Sequence, residues 1–310
     1  MDLLFDLDEL DHLTAGLRLR GARGTTGTEA TFLALFDGDG EKVDLLNQRL
    51  AERFGFSGVY PVVGQTYPRK VDHRVLALLA GIGASTARFG HDIRLLQAFG
   101  EIEEPFGQRQ IGSSAMPYKR NPMRSERICA LSRHLCTLEI NASWTASVQW
   151  FERTLDDSAN RRISIPEAHM AAEAILILAA NVASGLVVHP AVIARRLGQQ
   201  LPFMATEEIL LAGVRLGGDR QDLHERIRVH ALAARSRLDE GAADSDFFAR
   251  IAGDAAFGLS EDDLAELADS KKLSGRSAAQ VARFLETEVR PRLADFDQAS
   301  TDGTSTEVRV

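Results

Sequence analysis

Cysteine is almost missing: the 310 residues hold two, Cys129 and Cys136. Two thiols give no disulfide framework, and no Cys or His spacing fits zinc, so neither a metal nor another cofactor is expected. Seven positions apart on one helical face, the pair reads as small core side chains. Long apolar runs are lacking too. The longest, Ala174–Ala180, is far too short to cross a bilayer, so no membrane partner is expected. No signal peptide opens the chain, which with the missing disulfides favours a cytoplasmic location. Strand signals are nearly absent throughout, and the expected class is all-α. Excess positive charge is also wanting: the formal net charge is −8, which argues against nucleic-acid binding.

What is present is an ordinary globular composition, 45% hydrophobic and 26% charged, at a length that suits about two domains. Leu3, Leu7, Leu10 and Leu17 predict a helix over 2–18. Val43, Leu46, Leu50 and Phe54 predict a short one stopped at Gly55. Val71, Val75, Leu78, Ile82, Phe89, Ile93 and Leu96 repeat at three and four residues, as on one long, closely packed helix. Two more long helices follow, roughly 122–140 and 162–186. The second is apolar on nearly all sides, so it belongs at the centre of a bundle or an oligomer. Gly185–Pro190 marks a boundary between a domain over 1–188 and a smaller one over 189–296. The smaller domain consists of short helices at 191–199, 203–216, 219–237, 245–251, 261–268 and 275–291. Residues 297–310 are polar and aperiodic, and disorder is expected there.

Basic residues gather locally: Arg69-Lys70, Lys119-Arg120, Arg124, Arg127, Arg153, Arg161-Arg162 and Arg195-Arg196. Near the motif segments they suggest a small polyanionic ligand. The stretch from Ile111 to Glu126 concentrates this chemistry. Gly112, Ser113 and Ser114 open it, Lys119 and Arg120 follow, and Asn121-Pro122 predicts a helix start with Asn as the cap and Pro at the first helical position. A polar, cationic loop anchored to a buried helix is how a lid over an anion is built.

Ser113-Ser114-x-Met116-Pro117-x-Lys119-x-Asn121-Pro122 resembles the signature loop of the fumarase/aspartase superfamily. With Ala115, Tyr118 and Arg120 in the variable places it is similar to the adenylosuccinate lyase branch. Gly64-Gln-Thr-Tyr67, the string from Ser147 to Arg162 and Leu201-Pro-Phe-Met-Ala-Thr-Glu207 carry the same resemblance, which runs from about residue 2 to about 295. It implies a long central bundle of the fumarase/aspartase type and a smaller C-terminal helical domain. It also implies a homotetramer with active sites shared between subunits. The implied activity is β-elimination of fumarate from a succinyl-nucleotide in purine synthesis.

That reaction needs a base for a weakly acidic C–H, a cation for the resulting carboxylate dianion and a proton for the departing nitrogen. By the resemblance, Ser113 is the base. A hydroxyl needs cationic help to ionise, and Lys119 is the candidate for that and for the dianion. Glu126 suits a helix N-terminus on physical grounds; the resemblance makes it the partner of a catalytic histidine. By the resemblance Asn121 and Ser114 are expected to hold a substrate carboxylate, a role that competes with capping for the Asn121 amide. Gln65, Arg127, Ser158 and Arg162 match positions on the nucleotide side. Arg153, Asp156 and Asp157 read instead as a structural ion-pair network. The eight histidines lie outside every motif. The family's proton-donating histidine belongs to segments before the part matched here, so the chain is expected to be inactive by itself. The alternatives are a non-catalytic helical scaffold and another lyase of the superfamily; Gln65, the Tyr-Lys-Arg variant and the string from Trp150 to Arg162 argue against the latter.

Overall fold

The computed structural model describes residues 1–107, 110, 112, 115, 116 and 118–294. Fourteen α-helices, one π-helical turn and two two-residue strands make up the regular structure among them. The chain divides into two compact units, one formed by residues 1–188 and a second that begins at His189. The tail expected to be disordered falls outside the described residues.

In the first unit α1 (Asp2–Gly16), α2 (Ala30–Leu35) and α3 (Gly40–Arg53) precede three long helices: α4 (Lys70–Ala98), α5 (Met123–Ser147) and α6 (Asp157–Ser184). The three pack on one another around Leu76 and Ile93 of α4, Ile128 and Leu135 of α5, and Ile175 and Val182 of α6. Close approach of α4 to α5 depends on Gly90, where a Cβ would stand 3.0 Å from Cys129 Sγ and 3.2 Å from the Ser125 carbonyl oxygen. Between α4 and α5 the chain forms β1 (Ile102–Glu103), which pairs antiparallel with β2 (Val187–Val188) after α6. That ribbon fixes where the long α4–α5 connection starts.

The sequence readings need four amendments here. α5 runs seven residues past its expected end, to Ser147, and α6 starts five earlier. Cys129 is buried but Cys136 is exposed, because α5 turns only part of its surface inward. α6 passes through Pro166, which costs one backbone bond and leaves the helix continuous. It is long and apolar enough to cross a membrane by length and composition, yet its buried side is part of the bundle core.

The second unit contains α7 (Pro190–Met204), α8 (Thr206–Arg215), α9 (Arg220–Asp239), α10 (Phe247–Ala252), α11 (Glu261–Leu267) and α12 (Ser270–Leu273). It continues through α13 (Ser277–Phe284), the π-turn Leu285–Val289 and α14 (Arg290–Leu293). α7 continues through Pro202, where the sequence suggested a break. Its core is built on Phe247, stacked 5.5 Å from Phe203, with Ile209, Leu223, Ile251 and Phe257. Asp219 caps α9, and Ser260 with Asp263 forms a capping box on α11.

Candidate active site

The signature loop leaves the bundle after β1 and rejoins it at α5. Its stem is held by a residue the sequence did not single out. Glu104, 1% exposed, accepts from the Arg124 and Ser125 amides at 2.9 Å each and from Ser125 Oγ at 2.9 Å. A helix start has orphan N–H groups that an adjacent side chain usually satisfies. Here a carboxylate twenty residues upstream does so. The Asn121 cap is accordingly not found: α5 begins at Met123, Pro122 is the capping position, and Asn121 Nδ2 donates to the Gly112 carbonyl at 2.7 Å. That bond pinches the neck of the loop, where a Cβ on Gly112 would stand 2.1 Å from the Lys119 carbonyl oxygen.

Lys119, Asn121 and Glu126 line one open cleft of about 550 Å³ with His91, Arg94 and Gln97 from the last turns of α4. Lys119 and Glu126 are exposed there, and so is Arg127 beside them on α5. Arg120 pairs with Glu103 at 3.1 Å. His91 Nδ1 lies 2.7 Å from the Ala87 carbonyl and 3.5 Å from Cys129 Sγ. Ser113, the expected base, and its neighbours Ser114 and Pro117 lie outside the described residues.

Gln65, Ser158 and Arg162 sit elsewhere, around the start of α4. The Gln65 amide donates to the Glu152 carbonyl at 3.2 Å, Ser158 is half-buried in the first turn of α6, and Arg162 is exposed one turn later. Next to them Tyr67 is flanked by two guanidiniums, Arg69 at 4.7 Å and Arg161 at 5.5 Å from its ring centre. Its hydroxyl donates to Asp72 at 2.7 Å, and burial together with the Asp72 carboxylate raises its pKa. Arg161 binds Asp72 at 2.5 Å, and although burial works against its charge, that carboxylate raises its pKa. The buried Asp157 is held by Arg69 at 2.5 Å and Arg153 at 3.1 Å. Four of the cations that suggested an anionic ligand, Arg69, Arg124, Arg153 and Arg161, are therefore committed to bonds within the fold. Asp156 takes no part in the Asp157 network.

The expected site residues thus form two groups, at the two ends of a 29-residue helix. At 1.5 Å per residue, about 30–40 Å of α4 lies between them. Glu104 and Tyr67 are the residues that reading by motif passed over. Tyr67 stands inside a quoted motif, whereas nothing local marks Glu104.

The chain is similar to known proteins in sequence and fold. Residues 37–136 match the family model described as Lyase, and residues 202–284 the model described as Adenylosuccinate lyase C-terminus. The 3-carboxy-cis,cis-muconate lactonizing enzyme of Pseudomonas putida superposes with a TM-score of 0.73 at 22% identity, over 92% of this chain and 60% of that one. Fold and family match together place the chain in the helical fumarase/aspartase class. The adenylosuccinate lyase of Saccharomyces cerevisiae is 48% identical over 97% of this chain, and that of Schizosaccharomyces pombe 46% identical over the same share. The chain belongs to the adenylosuccinate lyase family. It spans 62% of the length of each of these two relatives.

Proposed function

We propose that this chain works, within an adenylosuccinate lyase assembly, in the β-elimination of fumarate from adenylosuccinate and from succinyl-aminoimidazole-carboxamide ribotide in purine nucleotide biosynthesis. The observation that carries the reading is the 48% identity to the yeast lyase across 97% of the chain. In this reading Ser113, as alkoxide, takes the proton from the carbon beside a succinyl carboxylate. The electron pair moves into that carboxylate, and the resulting dianion is stabilised by Lys119, with Asn121 and Ser114 holding the oxygens. The dianion collapses, the C–N bond breaks and fumarate leaves. The nitrogen takes its proton from a histidine oriented by Glu126. Gln65, Arg127, Ser158 and Arg162 hold the nucleotide, the arginines through their bidentate forks. The cleft that collects Lys119, Asn121 and Glu126 supports the first half of this assignment.

The assembly is read as a cytoplasmic homotetramer with shared sites. A nucleotide is far shorter than the roughly 30–40 Å of helix between the two groups, so they meet at one substrate only if different subunits supply them. The first unit also exposes apolar side chains that a second copy can cover: Trp144, Trp150, Phe151, Leu155, Ile163 and Met170, with Phe151 at 103% and Trp150 at 69% exposure.

Ser113→Ala tests the chemistry. In the assembly that releases fumarate it is expected to lower kcat by at least about 10²-fold and to leave substrate affinity nearly unchanged. Near-normal turnover would move the base elsewhere, to Ser114 first.

A further inference from the structure

Glu104 commits both carboxylate oxygens to one helix end. Oε1 accepts from the Arg124 amide, and Oε2 accepts from the amide and hydroxyl of Ser125, all at 2.9 Å. The positive end of α5 offsets the buried charge. The return contact comes from Arg124, 7% exposed, whose guanidinium donates to the Pro105 carbonyl and, at 3.4 Å, to Gln110 Oε1. Gln97 at the end of α4 spans both arms: its Oε1 accepts from the Glu104 amide and its Nε2 donates to the Arg120 carbonyl, each at 3.1 Å. The incoming and outgoing arms of the loop are thus tied to each other and to α4 by groups outside the loop tip.

This differs from an ordinary cap. A local cap lost from its own helix frays one turn. Loss of Glu104 unties the two arms between which the loop hangs. The amides it occupies would otherwise form an anion site, so a substrate carboxylate is left to the side chains of the loop.

We propose that Glu104 is a positioning residue: through Arg124, Ser125 and Gln97 it holds the signature loop in register for the reaction. Only the kinetic half of its test rests on the lyase reading. Glu104→Gln keeps the shape but turns an NH₂ toward one of the donors. Trypsin is expected to cut after the exposed Lys119 and Arg120 about tenfold faster than in the unaltered protein, because local opening of the stem becomes easier. Cutting after Lys271 and Lys272, in the second unit, stays unchanged. In the fumarate-releasing assembly kcat falls about tenfold or more, while KM stays within about threefold, since a loop displaced by a fraction of an ångström loses alignment before it loses binding. A folded Glu104→Gln protein with unaltered loop cutting overturns the proposal, and so does faster cutting with an unaltered kcat. If that variant does not fold, Gln97→Ala, which removes only the bridge, must give the faster loop cutting, and unchanged cutting overturns the proposal. If the unaltered assembly releases no fumarate, the lyase reading falls and the cutting pattern alone decides for or against Glu104.

Discussion

Replacing Asp157 with Ala should destabilise the first unit more than any surface change. The carboxylate is fully buried, and its two partners differ in what they can do without it. Arg153, with 23% of its side chain exposed, can turn to water, whereas Arg69, at 5%, cannot. The variant therefore leaves one unpaired guanidinium inside the bundle. Breaking a buried pair in this way costs about 3–5 kcal/mol. With a urea slope of about 3 kcal/mol per molar, the upper end of the usual range and suited to a unit of this size, the unfolding midpoint should fall by roughly 1–2 M. Both tryptophans, Trp144 and Trp150, belong to the first unit, so their fluorescence follows that unit while circular dichroism follows the whole chain. Removing both charges in an Asp157→Leu, Arg69→Met double variant should cost less than Asp157→Ala alone, since no buried charge is then stranded. The pH dependence has a definite sign. Burial pushes the Asp157 carboxyl up, but hydrogen bonds from Arg153 and Arg69 outweigh it and hold the pKa below the ordinary value. Its contribution is complete above the unfolded-state pKa of about 4 and is lost as the pH falls through the lower folded value. A midpoint shift below about 0.3 M, or a double variant weaker than the single, would refute the reasoning.

Asp246 should govern the acid limb of the second unit. The hydrogen bond from Arg250, opposed by burial and helped by Arg237, lowers its carboxyl to about 2. Stability should therefore decline between pH about 4 and about 2, and Asp246→Asn should flatten that decline in thermal melts; an identical acid slope would sink the assignment. The separation of the two site groups predicts complementation. In the fumarate-releasing assembly that includes the proton-donating histidine, Lys119→Ala alone or Arg162→Ala alone should release little fumarate, and mixed assemblies should regain part of it, because some sites then receive both intact groups. Mixed tetramers that form and stay inactive would count against shared sites.

The helices were legible because their signal is local. The α4 seam from Val71 to Leu96 repeats every three or four residues, and no distant residue is needed to read it. The loop stands out in the sequence because Ser113, Lys119 and Asn121 fall within nine residues, and of these Lys119 and Asn121 line one cleft. Its support does not stand out. Glu104 caps a helix twenty residues away, and Arg69 meets Asp157 across 88 positions, distances at which sequence carries no periodicity or turn signal. Asn121 shows the converse failure. An Asn-Pro start is a sound cap rule, and it lost here because a buried carboxylate had already taken the amides. Cys136 and Pro202 were misplaced for a related reason: helical phase does not say how much of a helix its neighbours cover, or whether packing will carry it past a proline.

The tied stem also bears on how such a protein can change over generations. The bonds that close it run to backbone groups of Pro105, Arg120, Arg124 and Ser125 and to side chains at its margins. Among the described residues between them, Ala115, Met116, Tyr118 and Lys119 are exposed. Exchanges at exposed positions such as Ala115 or Tyr118 should therefore cost within about 0.5 kcal/mol of stability. The cost of keeping the loop's ends in place falls on a few stem residues such as the buried Glu104 and Arg124, and the exposed positions between them are left free to change.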